Sequence, residues 1–124
     1  MAREAKTIAA LNLGLDAIVT SPLVRAKQTA EIVAGALKMP IDEDARLGIG
    51  FNVEALRGIL SDRRDAGAVM LVGHEPGMSL TIGAAIGEAR IELKKGALAC
   101  VAFSDVTQLH GELSSLVPPK VLAH

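Results

Sequence analysis

The run Ala68-Val69-Met70-Leu71-Val72-Gly73-His74-Glu75-Pro76-Gly77 joins a continuous apolar stretch to a tight turn that carries a histidine. An unbroken apolar run of this length reads as a β-strand covered on both faces. The Gly-His-Glu-Pro-Gly turn ends it, and Met78 to Ile86 follows as a helix in spite of its glycine. Upstream, Asp16-Ala17-Ile18-Val19-Thr20 has the same character: a short β-branched strand, then Ser21-Pro22 as N-cap and first helical residue. That helix should carry Leu23, Ala26, Ala30, Val33 and Leu37 inward and end before Pro40. Two strand–turn–helix units thus repeat one layout.

The remaining segments fit around this pair. Residues 2–11 form an alanine-rich helix with Ile8 and Leu11 on one face, closed by Gly14. Gly48 and Gly50 mark a loop, and Asn52 caps a helix from Val53 to Ser61 with Leu56 and Leu60 inward. Three further strands are expected at Arg90–Leu93, Ala97–Phe103 and Leu109–Leu116, the last ended by Pro118-Pro119. Strands alternating with helices, then a strand-rich end, predict an α/β fold: a three-layer α/β/α sandwich with a mostly parallel mixed sheet.

Composition bounds the function. The chain has 124 residues, the length of one domain, and 13 basic against 14 acidic side chains leave a net charge of −1. That balance gives no broad positive field for nucleic acid or a membrane surface. Hydrophobic residues at 50% and charged residues at 22% exclude a disordered chain. The single cysteine, Cys100, excludes an internal disulfide framework and points to a reducing, cytoplasmic setting. Within its alanine-rich strand it reads as a small buried hydrophobe. Thr7 to Leu15 lacks the pattern of a signal peptide. The longest uncharged run, Pro76 to Gly87, is 12 residues, too short to cross a bilayer.

In an open α/β sheet, turns at the carboxyl ends of strands are where ligands bind. One such turn carries Ser21 and, in the first turn of its helix, Arg25; the other carries His74 and Glu75. Helix N-termini favour anions, and a guanidinium is a planar cationic fork that matches phosphate oxygens. If the two turns are neighbours, Arg25 and His74 converge on one phosphoryl group. No Gly-x-x-x-x-Gly-Lys-Ser/Thr and no Gly-x-Gly-x-x-Gly occurs, so the common nucleotide cradles are unsupported. Each residue also has a plainer reading. An arginine at a helix start is usually a solvated charge. Ser21 is accounted for by capping, and Glu75 by complementing a helix dipole. Gln28 orients Arg25 or faces solvent, and Lys94-Lys95 attracts an acidic partner or is a solvated turn. His110 and His124 read as surface and terminal residues. No metal-ligand set and no cofactor motif is present.

Thr20-Ser21-Pro22-Leu23-Val24-Arg25-Ala26-Lys27-Gln28-Thr29-Ala30 resembles the second arginine motif of the histidine phosphatase superfamily, and Val72-Gly73-His74-Glu75-Pro76-Gly77 its second-histidine motif. The short length and the Gly111-Glu112-Leu113 to Pro118-Pro119-Lys120 ending look most like the small SixA-type phosphohistidine phosphatases. The resemblance implies a phosphoglycerate mutase-like fold and phosphate binding by Arg25 and His74, to which Ser21 could donate from its cap position. It casts His74 as the second pocket histidine; Glu75, adjacent to it in sequence, is a candidate proton donor or water-activating group. It further implies a phosphohistidine enzyme intermediate, hydrolysed by water. The expected partner is a phosphorylated histidine-containing protein such as a phosphotransfer domain, or a small phosphorylated substrate. A released imidazole is a good leaving group when protonated, so a dedicated acid is not required. The family's nucleophile lies in an Arg-His-Gly at the end of its first strand, and this sequence has no Arg-His-Gly. The resemblance therefore implies that about 30 residues, a strand with its loop and helix start, precede the sequence as given. Without that strand, neighbouring sheet edges stand open. A non-catalytic phosphate-binding regulatory module and a small-molecule phosphomonoesterase are the alternative functions.

Overall fold

The computed structural model describes residues 2–95, 97–103 and 111–122. His110, His124 and the first residues of the strand expected at 109–116 lie outside them. Eleven elements follow in order among the described residues: α1 (Ala2–Ala10), β1 (Ala17–Thr20), α2 (Val24–Leu37), β2 (Asp42–Glu43), a 3-10 turn (Ala45–Leu47), α3 (Val53–Asp62), β3 (Val69–Val72), α4 (Gly77–Ala85), β4 (Leu98–Phe103), β5 (Gly111–Val117) and α5 (Pro119–Leu122). β1, β2 and β3 form a parallel sheet in the order β2-β1-β3, while β4 and β5 form a separate antiparallel hairpin. No helix is long and apolar enough to cross a membrane among the described residues.

Strand alternation sorts the core into two clusters, one on each side of the sheet. Ile18, with Met70 and Val72 beside it, packs against Ala5 and Ile8 of α1 and Ala30, Val33 and Ala34 of α2. Val19, with Val69 and Leu71, packs on the other side against Leu47, Phe51, Leu56, Ile59 and Ala85. The expected three layers are therefore present, with α1 and α2 on one face and α3 and α4 on the other. At the strand N-termini Asp16 closes the sheet: its carboxylate accepts from the backbone N–H of Gly67 at 2.6 Å and of Ala68 at 3.1 Å.

Several expectations are corrected. Helix α2 starts at Val24, not at Pro22, and its N-cap Leu23 offers no side-chain hydrogen bond. Leu23 is exposed, as is Leu11, which lies just beyond the end of α1. Residues 90–93 form no strand: Ile91 and Leu93 are half-buried and Arg90 and Glu92 exposed, but no ladder forms. Two-residue alternation records burial, and a strand also needs a partner edge. β3 is half-buried along its length instead of fully covered, since β1 is its one ladder partner among the described residues. Leu98 of β4 reaches the first cluster and Phe103 the second, so the hairpin adjoins the same core without a hydrogen-bonded ladder to β3. Cys100 is likewise half-buried. Lys94 and Lys95 are exposed. The expected Asn52 cap is present, its carbonyl oxygen accepting from the Ala55 N–H at 2.9 Å.

A surface network ties β2 and the 3-10 turn to α3. The Arg46 guanidinium donates to Asp44 and to Asp62, each at 2.7 Å, and Arg63 pairs with Asp42 at 3.7 Å. Hydrogen bonds from the Arg46 side chain hold the Asp44 carboxyl below its usual range, against an opposing push from burial. A carboxyl with a lowered folded-state pKa stabilises fully above its unfolded value, about 3.9, and loses that contribution as pH falls through the folded value. Asp44→Asn is therefore expected to be less stable than wild type at neutral pH. Urea denaturation should show the gap closing below about pH 4; a gap independent of pH would remove the Asp44–Arg46 pair as its cause.

Candidate functional site

The two turns meet at the carboxyl edge of the parallel sheet. β1 pairs with β3 in register from Ala17↔Val69 to Thr20↔Val72. One further bond, from the Ser21 N–H to the Val72 carbonyl at 3.0 Å, carries the pairing past the end of both strands. The next side chains to emerge therefore face each other: Ser21 Oγ lies 2.8 Å from His74 Nε2. Ser21 is fully buried and His74 half-buried. Ser21 Oγ also accepts from the Leu23 N–H at 3.2 Å, which holds the chain in a two-residue turn before α2 begins. The hydroxyl expected to cap a helix is thus shared between that turn and the imidazole.

The segment after the 3-10 turn packs beneath both turns. A Cβ on Gly73 would stand 2.8 Å from the Met78 sulfur, so that side chain would have to shift to admit one, and 3.4 Å from the Leu47 carbonyl oxygen, an ordinary contact. A Cβ on Gly48 would lie 4.0 Å from Ser21 Oγ. The His74 carbonyl accepts from the Met78 N–H at 2.9 Å, fixing the turn to the start of α4.

Arg25 occupies the second position of α2, four residues beyond Ser21, and is exposed. It makes no ion pair or side-chain hydrogen bond among the described residues, in contrast to Arg46, Arg57 and Arg63. Its neighbour Lys27 is committed elsewhere, to Glu43 at 2.9 Å. Gln28 is exposed and is not hydrogen-bonded to Arg25. The edge therefore carries an imidazole backed by the buried Ser21 hydroxyl and, at the start of α2, an uncommitted guanidinium beside that helix's first N–H groups, a set suited to an oxyanion.

Glu75 is engaged with the first turn of α4. One carboxylate oxygen accepts from the Ser79 N–H at 2.8 Å and the other from the Ser79 hydroxyl at 2.5 Å. This satisfies an N–H in the first turn of α4, whose N-cap Pro76 has no side-chain hydrogen bond to give. Glu75→Ala is expected to cost about 1 kcal/mol of stability, as loss of a helix cap does. Thermal unfolding of Glu75→Ala and Ser79→Ala would check this; unchanged midpoints for both would exclude the capping role.

The class of protein to which this architecture corresponds emerges from comparison. Residues 2–48 match the family model of the histidine phosphatase superfamily (branch 1), a stretch that contains the Thr20–Ala30 motif and ends before His74. Members of that superfamily are phosphatases. The fold is that of solved histidine phosphatases. The protein histidine phosphatase SixA, complexed with tungstate, superposes with a TM-score of 0.84 at 20% identity, over 96% of this chain and 79% of that one. The alpha-ribazole phosphatase from Shigella flexneri superposes with a TM-score of 0.70 at 16% identity, over 95% of this chain and 82% of that one. No curated protein matches the sequence.

Proposed function

We propose that the 124 residues belong to a single phosphohistidine phosphatase domain whose attacking histidine is not among them, and that this domain acts in the cytoplasm on a histidine-phosphorylated signalling protein. The observation that carries this reading is the 2.8 Å approach of His74 Nε2 to Ser21 Oγ, on the edge where α2 begins with the uncommitted Arg25. Arg25 binds phosphoryl oxygens as a fork, the α2 N-terminus adds donors, and the buried Ser21 hydroxyl holds the His74 imidazole beside them. His74 is the second histidine of the pocket and stabilises the transition state. In-line attack by an imidazole on the substrate's phosphoryl group breaks the P–N bond to the substrate histidine, forms a P–N bond on the enzyme, and releases the substrate histidine, which takes up a proton. Water then attacks the phosphoenzyme and inorganic phosphate leaves. The attacking imidazole is the Arg-His-Gly histidine in the family and is not present in this sequence. β3 runs directly into His74 with one edge open among the described residues, and a further strand pairing there would end beside the pocket.

The absence of an Arg-His-Gly favours a second reading, a phosphate-binding module without turnover. The likeness to an alpha-ribazole phosphatase favours a third, a phosphomonoesterase acting on a small molecule. One experiment separates these. Vanadate binding and phosphohistidine turnover are measured for this chain and for the same chain joined to an Arg-His-Gly strand. The phosphatase reading expects binding in both and turnover in the extended form alone. Binding without turnover in both supports the module. Absence of binding in both overturns all pocket readings.

A further inference from the structure

Ser21 has no solvent exposure, and all but one of its polar groups are committed. Its N–H donates to the Val72 carbonyl at 3.0 Å, and its carbonyl accepts from the Thr20 hydroxyl at 3.0 Å. Its Oγ accepts from the Leu23 N–H at 3.2 Å. What is left is the hydroxyl hydrogen, and His74 Nε2, at 2.8 Å, is its one acceptor among the described residues. A hydroxyl donates once, and a buried donor left without an acceptor costs its full desolvation. Were Nε2 to carry a hydrogen, Oγ would accept twice and the Ser21 hydrogen would have nowhere to go. A neutral imidazole holds one N–H and one lone pair. The lone pair therefore sits on Nε2 and the hydrogen on Nδ1.

From this we infer that Ser21 is a positioning residue that holds His74 in its Nδ1–H form, so that Nδ1–H is the group His74 offers to an oxyanion. The inference rests on the phosphate-pocket reading above and deepens it. Nε2 lies against the buried serine, whereas Nδ1 makes no hydrogen bond among the described residues and belongs to a half-buried ring. The sequence neighbours of His74 do not compete for it: Glu75 is engaged by Ser79, and Gly73 has no side chain. An N–H fixed in advance stabilises negative charge as it develops on phosphoryl oxygens, with no reorganisation at the moment of reaction. The same assignment states what His74 does not do. Its single lone pair is taken by the Ser21 hydroxyl, so the neutral ring is a donor and does not stand in for the Arg-His-Gly histidine as the attacking group.

The test is nitrogen NMR of the histidine rings in the chain as it stands, in alkaline buffer, where imidazoles are neutral. The chain has three histidines, and His74→Gln identifies the His74 signals by removing them. A ring nitrogen that bears hydrogen resonates well apart from one that bears a lone pair, so the tautomer is read directly. Wild type is expected to carry the hydrogen on Nδ1. Free histidine in water prefers it on Nε2, and Ser21→Ala should revert to that form. On addition of vanadate the Nδ1 signal of wild type should move and the Nε2 signal should hold. Ser21→Ala is expected to bind vanadate about tenfold more weakly, the worth of one neutral hydrogen bond. Hydrogen on Nε2 in wild type overturns the assignment whatever vanadate does, as does a folded Ser21→Ala that keeps the Nδ1–H form. Vanadate that moves Nε2 and not Nδ1 overturns the positioning role. Wild type that shows the Nδ1–H form and binds no vanadate removes the pocket reading, and with it any role for Nδ1 toward a ligand. Should Ser21→Ala not fold, the wild-type tautomer and its response to vanadate decide alone.

Discussion

Ile59→Ala is expected to lower the unfolding free energy by about 3 kcal/mol, the middle of the range for emptying a fully buried large aliphatic position. Ile59 has no solvent exposure and shares a cluster with Val19, Leu47, Phe51, Leu56 and Ala85. A domain of this size is stable by roughly 5–15 kcal/mol, so the loss is a sizeable fraction of the whole. The thermal midpoint should fall by about 10–15 °C. The consequence extends beyond stability, because Leu47 and Phe51 are the residues that back the site. The Leu47 carbonyl lies within van der Waals reach of a Cβ on Gly73, and Thr81 Oγ1 of α4 donates to the Phe51 carbonyl at 3.4 Å. A cavity at Ile59 therefore loosens the floor under Ser21 and His74 as well as the helix packing. Urea denaturation of Ile59→Ala and Ile59→Val gives the comparison, with the valine variant expected to lose about 1 kcal/mol. Equal, small losses for both would mean that α3 does not pack on the sheet through this residue.

Ile59 also shows where reading the sequence stops. The spacing around α3 identifies an inward face through Leu56 and Leu60, yet Leu60 is half-buried and Ile59 is the residue without exposure. Helical periodicity gives a face about a third of the circumference wide. Which residue at its centre is sealed depends on the Leu47–Phe51 segment above it. β2 was not legible because Asp42 and Glu43 are exposed and carry no apolar signal. Their strand character is conferred by β1, in register Val19↔Asp42 and Thr20↔Glu43. By contrast β1, β3 and the turns after them were legible: a buried strand must be apolar, and Ser-Pro and Gly-His-Glu-Pro-Gly must break it. The site followed the same division. That the turns after β1 and β3, with Ser21 and His74, lie on one sheet edge could be read from topology rules for parallel strands. That Ser21 Oγ turns toward His74 could not, because a serine before a proline at a helix start satisfies local capping rules equally well. The distinguishing fact is the long-range bond from the Ser21 N–H to the Val72 carbonyl.

Arg25→Ala is expected to weaken vanadate binding roughly 100-fold, the effect of removing a two-pronged charge-assisted contact to an oxyanion. The same substitution should leave folding stability unchanged, since Arg25 is exposed and engages no partner among the described residues. That combination separates a ligand from a structural charge. Arg46 supplies the opposite control: its guanidinium is spent on Asp44 and Asp62, so Arg46→Ala should lower stability and leave vanadate affinity intact. Arg25→Lys keeps the charge but loses the planar fork, and should bind with intermediate affinity. Because the guanidinium is solvent-exposed, its attraction for the anion is screened. Raising ionic strength from about 0.01 M to 0.15 M shortens the Debye length from about 30 Å to 8 Å and should weaken binding by wild type more than by Arg25→Ala. Equilibrium titration of the four proteins at two salt concentrations decides the matter. If Arg25→Ala binds vanadate as wild type does, the imidazole and the guanidinium do not share a ligand, and the contact between His74 and Ser21 is a tie between two strand ends.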